Sequence, residues 1–145
     1  MIRRLGIIGA GGHGKVIADT AERTGWSEIV FFDPRFDSSN LSHAHWPLVG
    51  VPEDAKFQYC DGYFVAIGSS KPRQEWMEWL ERNGLPLVSL VDPTAVVSRY
   101  ARLEVGVLIV AGSVVNADAF VGRGSIINTR AVVDHDCQIG MYTHI

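Results

Sequence analysis

The closing stretch Ser125-Ile126-Ile127-Asn128-Thr129-Arg130-Ala131-Val132-Val133-Asp134-His135-Asp136-Cys137-Gln138-Ile139-Gly140 repeats every six residues, with a small side chain two positions ahead of an aliphatic one. Followed back along the chain, the aliphatic position recurs at Val97, Leu103, Ile109, Val115, Val121, Ile127, Val133 and Ile139. The small position recurs at Ala95, Ala101, Val107, Ser113, Ala119, Ser125, Ala131 and Cys137. Neither the helical period of about 3.6 nor the strand period of about 2 gives this pattern, whereas a coil with one short strand per hexad does. Three hexads close one triangular turn of a left-handed parallel β-helix, and successive coils stack aliphatic on aliphatic. Asn116, Gly122, Asn128 and Gly140 directly follow aliphatic positions and are the expected sites of unusual turn angles. Cys137 is expected to be buried packing.

A solenoid adds coils along an axis and shares no closed core with what precedes it. The 145 residues therefore divide at Asp92-Pro93 into 1–92 and 93–145. The first part opens with a short apolar strand over 4–8, the turn Gly9-Ala10-Gly11-Gly12-His13-Gly14, and a helix over 15–24 carrying Val16, Ile17 and Ala21. A strand over 28–32 follows and ends at Asp33-Pro34. This order begins a Rossmann-like α/β sheet. Residues 35–45 read as a polar surface loop and 62–67 as a third strand closed by Gly68-Ser69-Ser70. A helix over 72–83 is punctuated by Pro72 and Gly84, with Trp76, Trp79 and Leu80 on one stripe read as core packing. Residues 85–91 complete the sheet as a fourth strand.

The charge balance is near neutral, 16 acidic against 13 basic residues, so no basic field is present to hold a nucleic acid. No apolar run has the roughly 20 residues needed to span a bilayer. Met1-Ile2-Arg3-Arg4 leads straight into a strand, so no signal peptide is expected and a cytoplasmic location is. Cys60 and Cys137 lack a CxxC arrangement and indicate neither a disulfide framework nor a metal site.

Two motifs carry chemistry. Glycines at the first turn let main-chain N–H groups approach a phosphate at a helix N-terminus. Within that turn His13 is either a ligand contact or a helix-start residue. Asp33, at the end of the second strand, either accepts hydrogen bonds from a ribose or base or initiates the turn with Pro34. In the repeat, Asp134-His135-Asp136 sets an imidazole between two carboxylates. That arrangement raises imidazole basicity and suits general-base work, and it equally describes a solvated corner. Adjacent strand residues point to opposite faces, so Asp136 orients His135 only where the pair sits at a corner.

Taken together, Gly9-Ala10-Gly11-Gly12-His13-Gly14-Lys15-Val16, Phe32-Asp33, Ala66-Ile67-Gly68-Ser69-Ser70 with Arg73, Asn116-Ala117, Ile127-Asn128-Thr129 and Val133-Asp134-His135-Asp136-Cys137-Gln138-Ile139-Gly140 resemble one family over the whole chain. These are the bacterial sugar acyltransferases of the sialic acid O-acetyltransferase and nucleotide-sugar 4-amino N-acetyltransferase group. The resemblance implies that the Rossmann-like domain holds the nucleotide of a UDP-sugar, and that the β-helix trimerises and binds acetyl-CoA between subunits. It implies a nucleotide-sugar site at Gly11, His13, Asp33, Gly68 and Ser69, a substrate contact at Asn128, and His144 near the acetyl group. It also implies His135 as general base with Asp136 as its partner, and no metal. The implied activity is acetyl-CoA-dependent N-acetylation of a nucleotide-linked 4-amino-4,6-dideoxy sugar for glycan synthesis. Sialic acid O-acetylation and a non-catalytic nucleotide-sugar-binding and oligomerisation module are the alternatives. Family members continue through further coils that supply most of the acetyl-CoA surface. This chain is therefore expected to be an N-terminal portion that binds a UDP-sugar and binds acetyl-CoA poorly.

Overall fold

The computed structural model describes residues 1–145. Five strands form the first sheet: β1 (Arg4–Ile8), β2 (Glu28–Phe32), β3 (Ser42–His43), β4 (Trp46–Gly50) and β5 (Gly62–Val65), in the order β3-β4-β2-β1-β5. All neighbours are parallel except β3 and β4, which form a short antiparallel pair whose first strand lies inside the expected loop. Alternate strand residues face opposite sides, and each side takes one helix. Leu5, Ile7, Ile29, Phe31 and Phe64 cluster with Ile17, Ala18 and Ala21 of α1 (Gly12–Arg23). Ile8, Val30, Phe32, Tyr63 and Val65 cluster with Met77 and Leu80 of α2 (Ser70–Arg82). Trp76 and Trp79 only flank that cluster, stacked edge-to-face with centroids 5.3 Å apart. Their size leaves part of each ring in solvent.

The remaining strands have two residues each. They are β6 (Leu90–Val91), β7 (Val96–Val97), β8 (Arg102–Leu103), β9 (Leu108–Ile109), β10 (Val114–Val115), β11 (Phe120–Val121), β12 (Ile126–Ile127), β13 (Val132–Val133) and β14 (Gln138–Ile139). They form three parallel sheets, β6-β9-β12, β7-β10-β13 and β8-β11-β14. Every partner lies 18 residues away, as in Val96↔Val114↔Val132, so three hexads make one coil of the expected left-handed β-helix. Inside, Ile109, Val115, Val121, Ile127 and Val133 are at most 2% exposed. Each such burial favours folding by about 1.5–3 kcal/mol. The two buried serines of the small column are satisfied by the coil itself, Ser113 Oγ donating to Asn128 O and Ser125 Oγ to Gly140 O at 2.6 and 2.7 Å.

Several sequence expectations need correction. Residues 85–91 do not complete the first sheet. Leu87 makes one bridge to Tyr63, and Leu90–Val91 already pairs with β9. Val91 stands six residues before Val97, so the hexad rhythm runs through it, and the expected boundary at Asp92-Pro93 falls inside the first coil. The left-handed backbone positions are Gly106, Gly112, Asp118, Gly124, Arg130, Asp136 and Tyr142. They precede the small column; none of Asn116, Gly122, Asn128 and Gly140 is among them. Coil closure fixes where the chain reverses, and three of the seven sites carry glycine while four tolerate the strain. Cys137 is exposed, not buried packing as expected.

Gly122 is constrained for another reason. A Cβ there would meet Met141 N at 2.7 Å and Gly140 C at 2.8 Å, whereas a Cβ at Gly140 would meet only Thr143 Oγ1 at 3.7 Å. Gly122→Ala should therefore cost about 1–3 kcal/mol, and Gly140→Ala should be close to neutral. Urea denaturation of the two variants checks this, and equal stabilities would contradict the stacking described.

Candidate active site

The solenoid docks on the first domain through one side of its prism. Leu90, Leu108 and Ile126 are the outward residues of the sheet β6-β9-β12, and all three join the core around α1. The next position of that column is His144, bridged to Ile126. The apolar column therefore ends in a histidine where the sheet gives way to the glycine turn. His144 lies with its ring centroid 6.0 Å from that of His13, and Asn128 Nδ2 lies 3.3 Å from His144 Nε2. Three residues expected at the site, one from the first domain and two from the second, are thus brought together.

They gather beside the crevice at the C-terminal ends of β1 and β5, where the chain order reverses and α/β sheets bind ligands. The motif's glycines divide into two kinds. Gly9, at φ +105°, and Gly14 are demanded by packing, since a Cβ on either would lie 2.9 Å from a main-chain oxygen, that of Ala66 and of Gly9 respectively. A Cβ at Gly11, Gly12 or Gly68 would meet nothing within 4 Å; these three edge open space. Gly11 is the N-cap of α1 and Ser69 that of α2; neither helix has a side-chain cap or an acidic residue in its first turn. Two helix N-termini, with unpaired N–H groups and positive ends, therefore face the same crevice.

Asp33 does not project into that space. Its Oδ2 accepts Ala10 N at 2.8 Å, and its Oδ1 accepts Arg35 N at 3.0 Å and Arg35 Nε at 2.9 Å. Burial alone would raise its pKa, but these hydrogen bonds outweigh it and hold the carboxyl below the usual range. The outer face of the turn is fastened by His43, whose Nε2 donates to Gly11 O at 2.9 Å, and by Arg35 on Ala10 O. Sequence reading missed both Arg35 and His43. Arg35 follows Asp33-Pro34 and was the more findable, as a cation two residues from an expected carboxylate.

His13 is half-buried, and its Nε2 has no hydrogen-bond partner. Burial lowers its pKa, and the neighbouring His144 and Arg73 lower it further. Both effects favour the neutral imidazole. The crevice is open: the molecule's five concavities are lined by other residues.

His135 lies elsewhere. It sits at the corner joining β13 to β14, opposite the prism side that carries His144. The corner condition is met: Asp136 takes a left-handed φ of 61°, and His135 Nδ1 lies 2.8 Å from Asp136 Oδ2. Asp134 Oδ1 accepts His135 N at 2.8 Å and Asn116 Nδ2 at 3.0 Å, which ties the corner to the coil beneath. Both partners of the dyad are 72% exposed. The hydrogen bond to Asp136, then the charges of Asp134 and Asp136, raise the His135 pKa and leave Nε2 free.

Residues 4–80 match the family model of the PglD N-terminal domain, and the chain belongs to that family. The acetyltransferase domain of PglB from Neisseria gonorrhoeae FA1090, solved in complex with acetyl coenzyme A, is 35% identical. It superposes with a TM-score of 0.92 over 99% of this chain and 70% of that one. PerB from Caulobacter crescentus, in complex with CoA and GDP-perosamine, is 38% identical with a TM-score of 0.86 over 99% of this chain and 69% of that one. GDP-perosamine N-acetyltransferase of Escherichia coli O157:H7 is 26% identical over 94% of this chain. The chain spans 64% of that curated relative's length.

The raised His135 pKa depends on Asp136. In Asp136→Asn the imidazole loses the anionic hydrogen-bond partner of its protonated form, so its pKa should fall toward the ordinary histidine value. Proton NMR titration of His135 reads this directly; an unchanged midpoint would show that the contact does not govern it.

Proposed function

We propose that the protein is an acetyl-CoA-dependent N-acetyltransferase of a nucleoside diphosphate-linked 4-amino-4,6-dideoxy sugar, working in the cytoplasm in glycan or polysaccharide synthesis. The observation that carries this reading is the convergence of two uncapped helix N-termini with His13, His144 and Asn128 on one open crevice. A diphosphate suits the helix ends. The sugar then reaches toward the polar pair from the solenoid. Perosamine N-acetyltransferases among the relatives favour an amine over a hydroxyl as acceptor, and both UDP- and GDP-linked sugars belong in the assay.

The chemistry belongs to the His135 corner. The neutral amine attacks the thioester carbonyl of acetyl-CoA, the His135 Nε2 lone pair takes the amine proton, and the thiolate of CoA leaves as the tetrahedral intermediate collapses. A main-chain N–H is suited to hold the oxyanion. Asp136 keeps the Nδ1 proton in place so that Nε2 is the basic atom.

Within one chain the crevice and His135 face different sides of the prism, so the working site forms between copies. The sheet β7-β10-β13, which leads into the His135 corner, presents Val96 and Val132 outward at 64% and 60% exposure. Such a flat valine ladder suits packing against a second copy, and a homotrimer closes the arrangement.

In the full-length protein, His135→Ala should reduce turnover by about 100-fold to 10,000-fold while leaving nucleotide-sugar affinity nearly unchanged. His13→Ala should weaken nucleotide-sugar binding more than it slows the chemical step. Acetyl transfer from acetyl-CoA, followed by thiol release across pH, tests both. Since His135 acts deprotonated and its pKa is raised, the wild-type rate should climb with pH through that value, and Asp136→Asn should move the climb to lower pH. Near-normal turnover in His135→Ala would return Asp134-His135-Asp136 to a solvated corner.

Val132→Lys places a charge on the valine ladder. Analytical ultracentrifugation should show the trimer dissociating at concentrations where the wild type stays assembled, with turnover lost in parallel. A trimer that survives the substitution would move the interface to another face.

A further inference from the structure

Arg73 lies in the first turn of α2 and is 1% exposed. Its guanidinium spends its hydrogen bonds on main-chain carbonyls. Nη1 donates to Ile67 O at 2.9 Å and to Gly68 O at 2.7 Å, Nε to Gly124 O at 2.8 Å, and Nη2 to Tyr142 O at 2.8 Å. Three segments meet on this one side chain: the loop after β5 that edges the crevice, and two successive coils of the solenoid. Gly124 and Tyr142 each stand two residues from the Ile126–His144 bridge. The same group therefore fixes one wall of the crevice and sets the height at which His144 faces His13.

Its charge is the second observation. The other arginines that link distant segments each take a carboxylate, Arg23 with Asp92, Arg35 with Asp33 and Arg123 with Glu81, whereas no carboxylate pairs with Arg73. Carbonyl dipoles orient a buried cation without neutralising it, and an uncompensated buried charge is costly. That positive charge sits behind Gly68, between the two helix N-termini, and its field reaches His13.

We propose that Arg73 is the positioning residue of the crevice and supplies the fixed positive charge that the diphosphate of the nucleotide sugar neutralises. The proposal rests on reading the crevice as a nucleoside diphosphate site. Arg73 does not touch the reacting atoms. It holds the Gly68 loop against the coils that carry His144, and it makes the crevice selective for a doubly anionic linkage.

Calorimetric titration of the full-length protein with UDP and with GDP over a series of salt concentrations tests this in the wild type, Arg73→Gln and Arg73→Lys. Arg73→Gln should bind about tenfold more weakly, with a shallower salt dependence, and Arg73→Lys, which keeps the charge but loses the fork that holds the Gly68 loop, should bind more weakly than wild type with the wild-type slope. In Arg73→Gln the His13 midpoint, read by NMR, should rise, because the Arg73 charge that helps to lower it is gone. A purely architectural role moves neither slope nor midpoint. Arg73→Gln with wild-type affinity and slope overturns the proposal and leaves the crevice reading standing; a wild type that binds neither UDP nor GDP overturns the crevice reading itself. Should Arg73→Gln fail to fold, Arg73→Lys decides. A folded Lys variant with the wild-type salt slope supports the charge role, and a folded Lys variant with a shallower slope overturns it.

Discussion

Residues 18 apart stand over one another in the solenoid, and the rest of the molecule follows from that constraint. It makes Leu90, Leu108 and Ile126 a single apolar column, and that column is what the first domain buries against α1. The fourth member, His144, is carried to the crevice by the same register. The partner of Asn128 is fixed by it too. Interior aliphatics supply the cohesion, and the outward residues decide what each side of the prism meets. One side meets the first domain, and the valine side stays exposed at Val96 and Val132.

Electrostatics then define the crevice. Acidic side chains are absent from the first turns of both helices that point at it, and the carboxylate bonded to the glycine turn, Asp33, turns inward to hold Ala10 and Arg35. Behind the loop stands Arg73, which has no anionic partner. The surroundings thus favour negative charge from three directions while His13 stays neutral. At the opposite corner the balance reverses, where Asp134 and Asp136 make His135 more basic. The two imidazoles are shifted in opposite directions, and their environments alone set them apart.

Much of this is legible in the residues. The hexad rhythm specifies the coil, and the first strand, glycine turn and first helix fall within a few residues of their expected places. Less legible is anything set by closure. The left-handed turn positions include Arg130 and Tyr142, which no local preference would select, and strand β3 lies where polar composition suggests loop. Leu90–Val91 was misassigned because a strand of a sheet and a strand of a coil look alike over two residues; only Val91's place in the six-residue series separates them. The meeting of His13 with His144 is invisible in sequence, since 130 intervening residues are brought round by the fold. Arg73 carries no local signal of burial: it is a charged residue on an amphipathic helix, and only tertiary packing shows it enclosed.

The central claim is that the nucleotide sugar binds where the two helix N-termini face His13 and His144, with the His135 of a neighbouring copy completing the site. A crystal structure of the full-length protein with a nucleoside diphosphate amino sugar tests it most directly. The diphosphate should lie on the amides of Gly12 and His13 beside Gly68, with the sugar amine directed toward His135 of the adjoining subunit. A ligand seated instead in the groove formed by Phe57, Tyr59 and Pro86 would contradict the account.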